Sequence, residues 1–434
     1  MGLLETFARH LETVSPVNGI HAARLAALAH AGVRGLPEIS DEDWKYTDIG
    51  RLHRIEFNLG RSPDRAPVAV PLAGLEAHRV VFINGHFSAV HSTLDTLPKE
   101  VRLRLFHRAS TEEPEWLATH LGKLGTGDAS AFAALNAAGA QDGVAVELAN
   151  AYRLVQPLLV IFMNTGELHP SVVSPHLHVS AGAGAEASII ELHVGDGEAT
   201  SLTNAFTRIE TSRGARISHY RAICEAVNAT HIGQLQLDIG SDSEVENFSL
   251  ALGGRLIRVD IDCRLAAAGG KVVLNGVFVA GLDQHIDHHT RVDHRASHTS
   301  SDETYRGIAD GNGRGVFNGK IIVQPGVEKI VATQASHNLL LSNEGEIDTK
   351  PELEIYADDL RCAHGATVGQ LDEDALFYLR ARGVPEAEAR ALLVYGFVQA
   401  SLATIPVREL QALVSSRFAN DNEALARILS GNLI

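Results

Sequence analysis

From residue 153 to residue 355 the sequence is patterned as a series of short β-strands with no amphipathic helix between them. Segments such as 158–163, 187–193 and 272–279 are rich in Val, Ile and Leu, and Gly, Asp, Asn or Ser separates them. A parallel βαβ sheet needs a helix at each crossover, and an ordinary β-sandwich is shorter than this run. The pattern therefore predicts a β-helix, in which each coil stacks on the next.

The two ends of the chain have helical patterning instead. Near the N-terminus Leu4, Phe7 and Leu11 recur at helical spacing, and residues 15–19 predict a turn between two short helices. Towards the C-terminus, acidic residues at 372–374 and a glycine at 383 mark the start and end of one helix, and a proline at 385 begins the next. Further helices are predicted over 406–417 and 421–429.

We therefore predict a mainly β fold, with a β-helix (solenoid) core flanked by N-terminal and C-terminal helical regions. The expected regions are 1–75 (N-terminal helical), 76–360 (β-helix core) and 361–434 (C-terminal helical), with a linker at 61–67. Helices at both ends of a solenoid would also block its open edges.

Charge and cysteine content exclude several classes of function. The chain carries 37 Lys and Arg against 53 Asp and Glu, a formal charge of −16, which argues against nucleic acid or an anionic membrane as the main partner. Its three cysteines, Cys224, Cys263 and Cys362, are too far apart for a disulfide framework or a CxxC metal clamp. No export signal and no bilayer-long apolar run occur, so the expected location is the cytoplasm.

One short stretch is unusually rich in histidine and comprises His285, Asp287, His288, His289, Asp293, His294 and His298. Imidazole and carboxylate groups suit zinc and non-haem iron, so one interpretation is a metal site. Alternate residues of a strand share a face, so His288, His294 and His298 would lie together and the other two histidines would point away. The interpretation we favour is a polar face exposed to solvent or to a partner.

A second candidate is the tripeptide from Cys362 to His364. Residues two apart on a strand point the same way, so the Cys362 thiolate and the His364 imidazole are available to one metal. Two ligands do not close a site, and a cluster bound here would need ligands from another chain. The alternative interpretation is a buried cysteine beside a structural histidine.

Motifs of the common enzyme classes are absent from the sequence. Residues 315–321 are one residue short of a P-loop and lack its hydroxyl. There is no GxGxxG opening a helix, no GxSxG elbow and no HExxH. The motifs of the sequence therefore do not indicate an enzyme.

Four blocks of sequence resemble the SufB/SufD family of iron–sulfur cluster assembly proteins, and the resemblance extends over nearly the whole chain. The blocks are 43–48 with its W-K-Y-T signature, 300–320, 334–342 with 351–355, and 362–367 with 376–379 and 382–383. SufB-like chains carry Glu-His-Glu-Ala-Thr where this chain has residues 363–367, and a scaffold cysteine before the proline matching Pro351, where residues 334–350 have none. The resemblance is therefore to the SufD side of the family.

This resemblance implies a non-catalytic subunit of an ATP-dependent assembly complex. In the family, SufD pairs with SufB through their β-helices, and each binds a copy of the ATPase SufC through its C-terminal helical region. The resemblance implies that an iron–sulfur cluster, or iron, is bound transiently at the SufB–SufD interface. It implies no permanently bound cofactor. The match carries the metal-ligand role of a SufD histidine onto His364, with Cys362 in the same motif as a second candidate.

Two other functions compete with this interpretation. A stand-alone metal-binding protein would use the histidines of residues 285–298 and would bind iron or zinc in isolation. A solitary β-solenoid enzyme would need clustered Asp or Arg side chains on one face of its coils. Exposed β-helix edges also make self-pairing into a homodimer plausible for the chain alone.

Overall fold

A computed structural model gives the fold and describes residues 2–13, 18–61, 70–166, 169–195, 197–198 and 200–412. Its α-helices are α1 (Leu3–Thr13), α2 (Asn18–Arg34), α3 (Phe106–Glu112), α4 (Pro114–Gly122), α5 (Ala131–Gly139), α6 (Glu373–Ala381) and α7 (Glu386–Leu402). Short 3-10 helices cover Glu42–Trp44, Gly50–Arg54, Ala89–His91 and Lys123–Gly125. Within these ranges no helix has the length and apolar character that a membrane span requires.

Some expectations concern residues outside these ranges. The turn at 15–19, the linker at 61–67 and the helix at 406–417 are only partly covered, and the helix at 421–429 lies wholly outside. The helices predicted after residues 371 and 385 are present as α6 and α7. Asp372 caps α6, because its side chain accepts hydrogen bonds from the backbone N–H groups of Asp374 and Ala375.

The strands fall into an irregular opening group and a regular series. The opening group is β1 (Asn58–Leu59), β2 (His78–Ile83), β3 (His86–Phe87), β4 (Val101–Leu105), β5 (Val144–Leu148), β6 (Leu158–Asn164) and β7 (Ser171–Val173). The regular series is β8 (His176–Ala181), β9 (Glu186–Gly195), β10 (Ser201–Thr211), β11 (Arg216–Cys224), β12 (Thr230–Ile239), β13 (Glu244–Ala251), β14 (Leu256–Leu265), β15 (Lys271–Ala280), β16 (His285–His294), β17 (Ser300–Ala309), β18 (Arg314–Val323), β19 (Ile330–Leu340), β20 (Glu346–Ile355) and β21 (Leu360–Gln370).

The regular strands build a β-solenoid from two parallel sheets. Even-numbered strands from β8 to β20 form one sheet, here called sheet A, and odd-numbered strands from β9 to β21 form the other, sheet B. Each strand pairs in parallel with the strand two places later, so that Arg258 of β14 lies opposite Asp287 of β16. The predicted fold, a mainly β solenoid with helical regions at both ends, is confirmed.

One corner of the coil repeats a left-handed backbone conformation. The φ angle is 65° at Gly184, 71° at Gly214, 53° at Asp242 and 76° at Gly269. At this corner the N–H of Gly184 donates to the backbone of the next coil at 2.9 Å, and the N–H of Gly214 does the same. Glycine suits this position because it has no Cβ to clash at positive φ.

Each sheet is covered on its inner face and on part of its outer face. The interior between them is largely apolar and includes Ile217, Leu235 and Val259. Outside sheet A lie the N-terminal helices, and outside sheet B lies α7, whose Val398 and Leu402 join the same buried cluster as strand residues. Parallel sheets are normally buried in this way, and their strands then show little alternation of apolar and polar residues.

Candidate functional site at the open end of the solenoid

Among the residues that the structure describes, the solenoid ends at β20 and β21, and each of these strands pairs with one strand only. Their outer edges present backbone N–H and C=O groups that favour pairing with another chain. Every residue from 363 to 370 is exposed, and the large apolar side chains exposed at this end are Val331, Ile355, Tyr356 and Val368. We expected helices to block this edge, but among the described residues none does so, because α7 packs on the outer face of sheet B instead.

Cys362 and His364 lie two residues apart on β21 and share one face, as the spacing predicted. Strand register places Cys362 opposite Ala332 and His364 opposite Gln334, and both partners are buried inside the coil. The two side chains thus continue the interior face of the solenoid beyond its last covered coil. Cys362 is half-buried, which raises the pKa of its thiol, whereas His364 is exposed. These exposures disagree with the alternative interpretation, in which a buried cysteine lies beside a structural histidine.

A buried carboxyl group lies behind His364. Gln334 donates through Nε2 to Oε2 of Glu303 at 3.1 Å, and Thr290 donates through Oγ1 to the same oxygen at 2.7 Å. Burial raises the pKa of Glu303 to about 7. The interior next to the open end therefore holds a group that exchanges a proton near neutral pH.

The histidine-rich stretch forms β16 and the turn after it. His288 and His294 are fully buried, so the prediction of an exposed polar face is wrong for both. Nε2 of His288 lies 3.1 Å from Oγ of Ser249, while the ring nitrogens of His294 lie 2.8 Å and 3.0 Å from the hydroxyls of Thr299 and Ser301. Each buried imidazole is therefore paired with neutral hydroxyl groups inside the protein.

The predicted grouping of His298 with His288 and His294 is also wrong. His298 is exposed in the turn after β16, with a φ of 61°, at a corner that glycine occupies in several earlier coils. His285 is bound elsewhere, with its Nε2 2.9 Å from Oγ1 of Thr47. In the part of the chain that the structure describes, these histidines do not converge into a three-ligand group. The interpretation as a stand-alone metal-binding protein therefore loses the site on which it depended.

The W-K-Y-T segment at 44–47 attaches the N-terminal region to sheet A. The guanidinium of Arg258 lies 4.3 Å from the centre of the Trp44 ring, and the hydroxyl of Thr47 donates to Asp287. Arg258 also donates to Asp287 at 2.6 Å, and both side chains are buried. Burial alone would raise the pKa of Asp287, but the charge of Arg258 outweighs this effect. The pKa is therefore lowered, and the carboxylate stays ionised. This segment is structural.

Sequence reasoning missed a group of three buried side chains in the early coils. His193 is in β9, Glu225 follows β11, and His231 is in β12. All three are buried, and one potential ligand atom from each lies within 4.8 Å of the others. Because 32 residues separate His193 from Glu225, only the stacking register of the coils brings them together. Burial also lowers the pKa of His231 to about 4, so its ring is neutral.

A buried carboxylate organises the neighbourhood of His193. Glu191 accepts hydrogen bonds from Arg221 at 3.1 Å and from the hydroxyl of Thr207 at 2.8 Å. Its carboxylate also lies 3.0 Å from Nε2 of His219 and 2.7 Å from Nε2 of His193. Burial acts to raise the pKa of Glu191, but the charge of Arg221 and the imidazoles hold it well below its ordinary value. Glu191 is therefore an anion held in place on several sides.

Comparison with known families and proteins gives a consistent result. The family described as "SUF system FeS cluster assembly, SufBD core domain" matches residues 162–397, and the "SufBD protein N-terminal region" matches residues 3–160. An iron–sulfur cluster assembly SufBD family protein of Synechocystis is 30% identical over 389 residues, covering 87% of this chain and 85% of that protein. The iron–sulfur cluster assembly protein SufD of Escherichia coli is 28% identical over 368 residues, covering 84% of each.

A more distant relative is a chloroplastic protein of Arabidopsis thaliana, 24% identical over 383 residues, which cover 86% of this chain and 80% of the relative. The family matches extend from the N-terminal helices to α7 and include the W-K-Y-T segment and β21. They confirm the resemblance that the four sequence blocks indicated. The chain belongs to the SufBD family of Suf-system iron–sulfur cluster assembly proteins, and within that family it is SufD-like.

Proposed function

We propose that this chain is a non-catalytic assembly subunit that pairs with SufB through the open end of its solenoid and contributes His364 to the nascent iron–sulfur cluster. The observation that carries the proposal is β21, on which His364 and Cys362 extend the interior face of the coil onto an exposed edge. Exposed apolar side chains around that edge give a partner something to bury. The cluster is cargo in this proposal, assembled at the interface and then passed on.

The chemistry of the two side chains ranks them as ligands. Imidazole is a common ligand of iron, and His364 presents one on an exposed edge. The thiol of Cys362 has a raised pKa and must lose a proton before it binds metal, which makes it the weaker of the two. One imidazole and one thiol fall short of the four ligands that a cluster usually takes, so the partner chain supplies the remainder.

The C-terminal helices are the proposed binding surface for the ATPase SufC. The inner side of α7 packs on sheet B, and α6 presents Phe377 and Tyr378, which are 71% and 55% exposed. Nucleotide-driven association of two SufC copies would move these helices and shift the solenoid contact, a coupling between two states of one interface. Replacing Phe377 by Asp should then weaken co-purification with SufC and leave the pairing with SufB intact.

The ligand role is tested by cluster formation in the complex. The tagged chain is co-expressed with SufB and SufC, and clusters are reconstituted anaerobically and followed by visible absorption. His364→Ala should leave the complex assembled but weaken cluster binding by at least about tenfold, because even changes around a metal ligand cost that much. His337→Ala is the matched control, since His337 lies on the neighbouring strand but on its opposite face. Equal cluster yields in the two variants would refute the ligand assignment.

The pairing surface is tested separately. Val368 is 43% exposed on β21, and Val368→Lys would place a charge on the edge that the partner covers. Loss of SufB from the purified complex is the expected result. Val90→Lys is the control and should have no effect, because Val90 is 88% exposed and far in sequence from β21. Size-exclusion chromatography of the isolated chain shows whether the same edge also supports a homodimer. Retention of SufB by Val368→Lys would place the contact elsewhere.

A further inference from the structure

His193, Glu225 and His231 are placed as the ligands of a metal site would be. We propose that they bind a divalent first-row transition-metal ion inside the early coils, at a site distinct from the one at the open end. Two imidazoles and one carboxylate are the donor set that proteins use for zinc and for ferrous iron. Six strand positions in sheet B separate β9 from β21, which is roughly 29 Å at the usual strand spacing.

Three potential donor atoms of this group lack a partner. Nδ1 of His193, Nε2 of His231 and Oε2 of Glu225 are buried and make no hydrogen bond to any residue that the structure describes. An unsatisfied buried polar atom destabilises the folded chain, and native proteins keep few of them. Three such atoms on three adjacent side chains indicate a missing ligand, and a cation would accept electron pairs from this group.

The surroundings of His193 prepare it to bind a metal. Its Nε2 lies 2.7 Å from Oε1 of Glu191, and Arg221 and His219 hold that carboxylate in place. When Nε2 donates its proton to Glu191, Nδ1 carries the lone pair. A histidine that is oriented by a carboxylate and binds metal through its other nitrogen is the usual arrangement in metalloproteins.

Glu225 and His231 are held towards each other. Nδ1 of His231 lies 3.2 Å from Oε1 of Glu225, and the hydroxyl of Thr203 donates to the same oxygen at 2.7 Å. Two glycines leave room for these side chains. A Cβ at Gly233 would lie 2.7 Å from Nε2 of His231, and a Cβ at Gly195 would lie 3.1 Å from Oε2 of Glu225.

There is space for an ion beside the group. A small cavity of about 10 Å³ is room for about one small ligand. Its lining includes His193, Thr203 and Glu225 but not His231, so the ring of His231 has to turn towards it. The ligands of a tetrahedral ion lie roughly 3.3 Å apart at normal bond lengths. One potential ligand atom from each of the three side chains lies within 4.8 Å of the others, so the side chains must rotate towards one another to close the site.

The test uses the full-length chain with its affinity tag removed. The site is buried, so the protein is unfolded and refolded with and without Co²⁺, and unbound ion is removed by gel filtration. We expect about one Co²⁺ per chain, visible absorption of a nitrogen- and oxygen-ligated ion without a thiolate charge-transfer band, and a higher melting temperature that Zn²⁺ reproduces. A refolded wild-type chain that retains no stoichiometric ion and shows no rise in melting temperature would overturn the proposal, whichever variants fold.

Variants then assign the ligands. Glu225→Gln keeps the shape of the side chain, and His231→Gln removes one imidazole, so each should weaken Co²⁺ binding by at least about tenfold. His294→Gln is the matched control, because it removes another fully buried imidazole of the solenoid. His364→Ala separates this site from the open end and should bind Co²⁺ as wild type does. Wild-type affinity in folded Glu225→Gln, or a loss in His294→Gln equal to that in His231→Gln, would refute the assignment.

Discussion

Replacing Glu303 by Gln should remove a pH-dependent loss of stability from the solenoid. Glu303 is fully buried in β17, and burial raises its pKa to about 7 from an ordinary value of 4.5. A difference of about 2.5 pH units corresponds to about 3 kcal/mol of folding free energy. Glutamine mimics the protonated side chain and has no charge to lose, so the variant lacks this contribution at every pH.

The direction of the effect follows from the order of the two pKa values. The folded chain keeps the proton of Glu303 over a range in which the unfolded chain has already released it. The stabilisation is therefore complete below about pH 4.5, is lost as the pH rises through about 7, and stays lost above that value. Between about pH 5.5 and about pH 8 the wild-type chain should lose roughly 2 kcal/mol more than the variant.

Urea unfolding, followed by circular dichroism at both pH values, measures this difference. Subtracting the two pH profiles cancels the other titrating groups, which the wild-type chain and the variant share. Glu328→Gln is the matched control, because Glu328 lies in an exposed turn and its replacement should leave the profile unchanged. If Glu303→Gln and wild type give parallel profiles, Glu303 is ionised in the folded chain and the reasoning from burial fails.

Two substitutions test how the flanking regions are attached. Asp287→Ala leaves the buried Arg258 without its fully buried carboxylate partner and should cost about 3 kcal/mol in urea unfolding. Asp260→Ala removes a 32% exposed partner of the same arginine and should cost less than half as much, because water replaces an exposed carboxylate more easily. Phe397→Ala removes a ring packed on sheet B, so it should lower the free energy of unfolding by about 2 kcal/mol and speed proteolysis at α7. Phe377→Ala is its control and should do neither, because the Phe377 ring is 71% exposed. Equal effects within either pair would contradict the packing described.

The sequence was sufficient to predict the solenoid and its flanking helices because both depend on local patterns. Short strands bounded by turn residues follow one another without a helix, and this excludes the common parallel folds. The C-terminal helices have local signals as well, since Asp372 caps α6 and Pro385 lies directly before α7. The spacing of Cys362 and His364 was informative for the same reason, as both lie on a single strand.

The buried polar contacts could not be predicted from the sequence because they connect neighbouring coils. Arg258 and Asp287 are 29 residues apart, and Glu191 and Arg221 are 30 apart, so each pair spans one coil of the solenoid. Alternation also gives no signal where both faces of a sheet are covered. In β16, Asp287 contacts the N-terminal segment through Thr47, whereas its neighbour His288 contacts Ser249 in the interior, and both are fully buried.

The open end is distinctive because of how a solenoid buries its side chains. Each coil covers the interior-facing residues of the one before it, so Gln334 on β19 is only 3% exposed although His364, directly opposite on β21, is exposed. Within the described part of the chain, the last coil presents interior-facing groups that no further coil covers. A partner that stacks on β21 would bury His364 as β21 buries Gln334, and it would bring its own ligands into the same desolvated space. Metal binding and partner binding at this end should therefore be coupled, so that neither the isolated chain nor the isolated partner holds the cluster as tightly as the pair.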